Sequence, residues 1–291
     1  MKLRSILFAA ALALTATQAR ADGGFSDTSI GVRDSAFVAN VGGNPGNEKG
    51  SRNVNKVIIN FDHFDVWDYG TNFFDVDVLL SDPNEAAYNS SGGSTEFYGV
   101  YRAQLSPDKI FGLNTKIGPF KAINFEIGGD LETENNQFAP NKKLFVVGPN
   151  FNLDMPAGFL NIGVHLSKEW NHNGFCADAC KKAGGPVDFD ATPEFEIAWL
   201  YPLAFTGLPL DFRGFMNIVL PKGKDGFGGQ TYTEVLARPR LQLDAGTLLF
   251  HKAHKPDVFL SVELWEHKFG ASSRTAGSEE VAPTIGMEMH F

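Results

Sequence analysis

The last eleven positions of the chain alternate between two faces. Val281, Pro283, Ile285, Met287, Met289 and Phe291 lie on one, and Ala282, Thr284, Gly286, Glu288 and His290 on the other. A period of two marks a strand with an oily and a wet side, and such a strand of ~10 residues is long enough to cross a bilayer when tilted. The pattern recurs upstream. After a weaker strand over 30–38, Val57, Ile59 and Phe61 oppose Lys56, Asn60 and Asp62. Phe74, Val76, Val78 and Leu80 oppose Phe73, Asp75 and Asp77, and Phe97, Gly99, Tyr101, Ala103 and Leu105 oppose Glu96, Tyr98, Arg102 and Gln104. Ile123, Phe125 and Ile127 oppose Asn124, Glu126 and Gly128. Phe145, Val147, Pro149 and Phe151 oppose Gly148, Asn150 and Asn152, and Leu160, Ile162, Val164 and Leu166 oppose Asn161, Gly163, His165 and Ser167.

The second half continues in the same way. Phe195, Ile197, Trp199 and Tyr201 face away from Glu194 and Glu196, and Leu210, Phe212, Met216, Ile218 and Leu220 from Asp211, Arg213 and Asn217. Val235, Ala237, Pro239, Leu241 and Leu243 oppose Glu234, Arg238, Arg240 and Gln242, while Val258, Leu260, Val262 and Leu264 oppose Ser261, Glu263 and His267. The pattern predicts an all-β chain of about twelve antiparallel strands in one meander, without a break into separate domains.

Alternate connections are long and polar, over 41–53, 81–93, 131–143, 171–186, 221–230 and 270–280. Those between are shorter and more apolar, as at 154–157 and 202–209, with 106–119 and 245–256 as exceptions. Outer-membrane barrels keep short turns in the periplasm and long loops outside, so an even strand count predicts both termini on the periplasmic side. Trp67, Tyr69, Trp170, Trp199, Tyr201 and Phe291 fall near predicted strand ends, where an interfacial aromatic girdle would sit.

The first residues indicate the compartment. Lys2 and Arg4 precede an apolar run over 6–14, and Ala19-Arg20-Ala21 offers small residues at a signal-peptidase site, so residues 1–21 are expected to be a cleaved signal peptide and 22–291 a single barrel domain. No later stretch reaches the ~18 apolar residues of a membrane helix, so a membrane location requires a closed barrel, in which every backbone polar group finds a partner. The formal charge of −9 becomes more negative once Lys2, Arg4 and Arg20 are removed, which argues against nucleic acid as a partner. A soluble secreted β-sandwich or a lipocalin-like barrel would also alternate, because period two does not say which face points inward. The many charged wet faces suit a water-filled lumen. The terminal aromatic strand ending at Phe291 suits recognition by the barrel-assembly machinery, with outer-membrane lipid and lipopolysaccharide as the surroundings.

Particular segments resemble a known family. Leu105-Ser106-Pro107-Asp108-Lys109-Ile110 with Ile117-Gly118-Pro119-Phe120-Lys121, Val147-Gly148-Pro149, and Leu153-Asp154-Met155-Pro156 through Lys168-Glu169-Trp170-Asn171-His172-Asn173-Gly174 are similar to the Tsx family of nucleoside-specific outer-membrane channels. Asn60-Phe61-Asp62-His63, the run from Tyr69 to Asp77 and Pro221-Lys222-Gly223-Lys224-Asp225-Gly226-Phe227-Gly228 resemble its OmpK-like branch. The resemblance spans nearly the whole mature chain. It implies a monomeric twelve-stranded barrel with a narrow pore for nucleosides and deoxynucleosides, and loops that can serve as phage or colicin receptors.

The lumen chemistry can also be read from the residues. A nucleoside offers a flat π face and sugar hydroxyls, so a selective channel needs aromatic rings among charged groups. Phe73, Tyr98, Phe215, Phe259 and Trp265 point inward by register, among Asp62, Asp75, Asp77, Glu96, Arg102, Glu126, Glu194, Glu196, Arg213, Glu234, Arg238, Arg240 and Glu263. The set Phe73, Asp75 and Asp77 combines stacking and acceptors on one strand. The alternative is structural, with opposite charges cross-linking the wall and rings filling the interior. Three further functional classes remain open: a general small-solute porin, a surface-binding barrel with a closed lumen, and a hydrolase. His165 and Ser167 share a wet face, but no G-x-S-x-G, H-E-x-x-H or P-loop accompanies them. His251 and His254, with Lys252 and Lys255, read as a cationic turn rather than a metal site, and no cofactor is implied. Cys176 and Cys180 read as a small disulfide staple of an exported loop; a zinc pair would need His172 and a further ligand that is not evident.

Overall fold

The computed structural model describes residues 24–39, 53–87, 90–136, 140–172, 186–225, 228–275 and 277–291. The expected signal peptide and the Cys176–Cys180 staple lie outside them. The strands are β1 (Ser26–Ala39), β2 (Asn53–Trp67), β3 (Gly70–Ser81), β4 (Thr95–Leu105), β5 (Phe120–Glu134), β6 (Lys143–Leu153), β7 (Phe159–His172), β8 (Pro186–Asp188), β9 (Thr192–Pro202), β10 (Leu210–Val219), β11 (Glu234–Ala237), β12 (Arg240–Asp244), β13 (Asp257–Glu266) and β14 (Glu280–His290).

All pairings are antiparallel, and β1 closes the sheet by pairing on both sides, Ser29 lying opposite Asp62 of β2 and His290 of β14. β7 pairs with β8 at one end and β9 along the rest, so β8 and β9 form one stave of the wall. β11 and β12 form another between β10 and β13, broken where Pro239 has no N–H to give the ladder. The result is a closed barrel of twelve staves, the architecture that the alternation predicts.

The structure settles which face points inward. Outward positions such as Phe61, Phe74, Phe97, Tyr101, Phe125, Leu131, Phe145, Leu166, Leu241 and Met287 are exposed. Inward positions such as Arg33, Asp77, Glu96, Arg102, Glu126, Asp130, Glu169, Glu194, Gln242, Glu263 and Glu288 are buried. A soluble barrel would have the reverse arrangement, since an apolar surface of this extent is unfavourable in water by ~25 cal/mol per Å². At the long-loop end a small apolar cluster, Val54, Ile58, Leu79 and Ala282 with Tyr98 against it, interrupts the polar interior. Trp67 and Tyr69 meet edge-on at 5.4 Å at the short-turn rim, Trp199 lies against Phe212, and Trp170 marks the opposite end. Phe291 donates its backbone N–H to the Thr28 carbonyl at 2.8 Å, tying the last residue to the first stave.

One expectation about connections needs correction. Residues 131–134 belong to β5, which carries the alternation on with Asp130, Glu132 and Glu134 buried. The two exceptions to short turns are folded. Residues 106–119 contain helix α1 (Pro107–Phe111), whose Ser106 hydroxyl accepts from the Lys109 N–H, and 245–256 contain helix α2 (Ala245–Phe250), where Asp244 accepts from the Thr247 N–H.

Gly286 on β14 shows how tightly the interior closes. A Cβ there would stand 2.3 Å from the Phe259 ring and 2.8 Å from the Arg33 Cβ. Gly286→Val is expected to displace Phe259 and cost about 1–3 kcal/mol, the usual range for overpacking, read as a lower denaturant midpoint in lipid vesicles.

Candidate functional site

The inward side chains form a charged lumen crossed by two bridges. Arg102 of β4 reaches Glu196 of β9, four staves away, at 2.9 Å, and Asp130 of the adjacent β5 at 2.8 Å, with Glu126 at 3.8 Å. The guanidinium can lie across the wall because Gly128 stands opposite; a Cβ there would be 2.7 Å from the Arg102 Cδ. Arg238, in the break between β11 and β12, lies 3.6 Å from Asp77 of β3, five staves away in a ring of twelve. Arg33 also pairs with Asp77, and Glu263 holds Arg238 from its own side.

Toward the long-loop end, lysines from strands and connections enter the lumen. Lys56 meets Glu96 at 2.8 Å and Glu85 at 2.9 Å, and Lys268 lies 3.6 Å from Glu280. Lys222 pairs with Glu169 and, at 3.2 Å, with Glu234; Lys142 lies 3.7 Å from Asp130. Burial alone would lower the Lys222 ammonium, but Glu169 and Glu234 outweigh it and hold it above the usual lysine range. Lys142 is raised likewise: burial opposes its charge, and Tyr98, Asp130 and Glu169 more than offset that.

The five aromatics expected in the lumen all point inward, but they are not equivalent. Arg238 lies over Phe215 at 5.3 Å from its centroid and Arg240 over Phe259 at 3.5 Å. Lys268 covers Trp265 at 4.2 Å, and Lys142 lies 5.7 Å from the Tyr98 ring, whose hydroxyl donates to Asp130. Phe73 alone of the five has no cation over it among the described residues. It is 37 % exposed, near the short-turn rim, directly opposite Phe64 and Arg102. Phe25 and Phe64, also at that rim, pair at 6.1 Å.

The expected cluster of Phe73, Asp75 and Asp77 is therefore split. Asn60 donates to both Asp75 and Asp77, and Asp77 is committed to Arg33 and Arg238, whereas Phe73 and Asp75 lie closer to the mouth, with Asp62 opposite Asp75. Arg213 pairs with Asp211 at 2.9 Å and Arg240 with Glu288, so neither joins that group. Glu96 is engaged by Lys56. His165 and Ser167 do share the inward face, but Ser167 donates to the Thr192 carbonyl and His165 faces Glu126 at 3.4 Å.

One part of the wall is rich in unused hydrogen-bonding capacity. Glu126 Oε1, both carboxylate oxygens of Glu194, Asn150 Oδ1 and both ring nitrogens of His165 are buried with no hydrogen-bond partner among the described residues. They sit on β5, β6, β7 and β9, facing Arg102 and its carboxylates. Of the residues that build the lumen, Asp130 and Glu132 were discoverable by extending the β5 alternation. Lys142, Lys222 and Lys268 were not, because they enter from connections where no periodicity operates.

No family model and no curated protein matches the sequence. Among solved structures the chain is similar to the KdgM porin (8 % identity, TM-score 0.40), covering 90 % of this chain and 99 % of that one. It is also similar to the translocator domain of the autotransporter NalP from Neisseria meningitidis (11 %, 0.42, covering 99 % and 94 %) and to OccK5 from Pseudomonas aeruginosa (9 %, 0.31, covering 91 % and 98 %). These neighbours span porins and a translocator with TM-scores below 0.5, so the functional reading rests on the geometry of this chain's own lumen.

Proposed function

We propose that the chain is an outer-membrane barrel that passes small polar solutes through a narrow charged lumen, with nucleosides as the favoured class. The observation that carries the membrane reading is the closed wall, apolar outward and ionised inward, an arrangement that suits a hydrocarbon exterior. Two features support a nucleoside-sized solute. The open face of Phe73 beside Asp75 offers a stacking position at one mouth, and the unpartnered acceptors of Asn150 and Glu194 offer places for sugar hydroxyls to donate. Several weak sites in series favour passage over retention.

The test is single-channel conductance of the refolded chain in a planar bilayer, with nucleosides titrated and free sugars and amino acids as controls. Saturable block by nucleosides is expected. Phe73→Ala should weaken it about fivefold, equivalent to ~1 kcal/mol of stacking. Asp75→Asn should weaken it through the sugar. Block by every solute alike would instead indicate a general porin.

The two transverse bridges favour a second reading, a barrel whose lumen is closed and whose loops bind partners such as phage. It predicts no conductance from the native chain and measurable conductance once Arg238→Ala removes one bridge.

A further inference from the structure

A second cluster lies at the short-turn rim, apart from those two bridges. His254, in the turn between α2 and β13, places Nδ1 2.9 Å from Asp257 Oδ2, and His290 near the end of β14 places Nε2 3.7 Å from the same oxygen. The two imidazoles are 5.3 Å apart between centroids, and one ligand atom from each of the three residues falls within 4.8 Å of the others. Tetrahedral zinc, with bonds of ~2.0–2.2 Å, needs ligand atoms ~3.3–3.5 Å apart, so small side-chain adjustments suffice. We propose that His254, Asp257 and His290 form a binding site for a divalent transition-metal cation of the zinc class, at the rim where the barrel closes.

The surroundings favour metal over a simple ion-pair network. Asp27 of β1 lies 2.8 Å from His290 Nδ1, so that nitrogen can keep its proton against the carboxylate while Nε2, which faces Asp257 and Glu288, gives up its own to a bound cation. A ligating histidine oriented by a carboxylate on its far nitrogen is the usual outer-shell arrangement of zinc sites. Asp257 is fully buried; Gln242 donates to its Oδ2, while its Oδ1 has no partner among the described residues. Oδ2, which faces both histidines, keeps a second lone pair for the cation beside the Gln242 amide, and Oδ1 has no competing donor. Glu288 Oε1 lies 3.1 Å from His290 Nε2 and accepts from the same Gln242, so water completes the coordination of the three-residue set. The backbone already joins the two histidines, since His290 N–H donates to the His254 carbonyl. His254 is 46 % exposed, leaving an entry path from solvent. Spacing in sequence set His254 beside His251; barrel closure sets it beside His290 instead.

The experiment is a titration of the refolded full chain with Zn²⁺ by calorimetry, and with Co²⁺ by the visible absorption of a tetrahedral ion. The background is Cys176→Ser/Cys180→Ser, so that those thiols contribute nothing. One equivalent is expected to bind with micromolar or tighter affinity. His254→Ala and His290→Ala should each weaken it at least about tenfold, and Asp27→Asn, acting only through His290, by about tenfold or more. His251→Ala in the same turn should leave it unchanged. His254→Gln repeats the test with a side chain of similar bulk on an exposed turn, so misfolding cannot mimic the result. Absence of saturable binding up to millimolar Zn²⁺ overturns the proposal. So does binding that survives both histidine variants, or that is lost only in His165→Ala, which would move the ion to the lumen.

Discussion

Arg102→Ala is expected to destabilise the folded barrel by about 3–5 kcal/mol, the range found when one partner of a buried ion pair is removed. The guanidinium is the group that simultaneously contacts Asp130 and Glu196 and faces Glu126. Its loss leaves these carboxylates close together, with Lys142 near Asp130 as the nearest remaining compensation. Equilibrium unfolding in lipid vesicles measures the effect. Because the cost lies in the abandoned negative charge, Arg102→Ala/Glu196→Gln should recover part of the loss, and the double-mutant cycle gives the coupling. The same substitution should shift the reversal potential toward cation selectivity in a bilayer. A destabilisation below about 0.5 kcal/mol, the scatter of ordinary surface changes, would mean that the bridge is not formed.

Leu260→Arg should also produce a large effect, and it tests the wall rather than the lumen. Leu260 lies opposite Ile285 on neighbouring staves, the two being 59 % and 63 % exposed near the middle of their strands. If hydrocarbon covers this patch, an arginine there costs about 2–4 kcal/mol, as for a cation at the bilayer midplane of a barrel. If water covers it, the change falls within about 0.5 kcal/mol. Folding titrations into vesicles separate the two. Ser261→Arg, one residue along and inward-facing, is the control for side-chain bulk on the opposite face.

The register was legible because ionised residues repeat at every second position over long runs, and a one-residue slip would have turned all of them to the other face. Glu280 to His290 on β14 and Phe73 to Asp77 on β3 fall on the faces that their alternation predicts. Alternation could not say which face was inside, because a lipocalin-like barrel has the same period with the opposite sense. That information lies in closure, which brings β14 against β1. The candidate site was legible as a list of inward residues but not as a set of partners. Nothing local couples Arg102 to Glu196, or Arg238 to Asp77. The availability of a ring also depends on what lies over it, so Phe259 and Phe215 looked equivalent to Phe73 until their arginines were placed.

The transverse bridges carry a consequence for how the barrel is made. Asp77 finds Arg238, and Arg102 finds Glu196, only across strands laid down far apart along the chain. A chain with just its first seven staves in place has Asp77 without Arg238 and Arg102 without Glu196, on a surface that must not touch hydrocarbon. Hairpins therefore cannot be stably inserted one after another. Entry into the bilayer and zipping of β14 onto β1 must be a single cooperative event, and any scaffold that assists it has to shelter an open, charge-lined sheet until the final strand arrives.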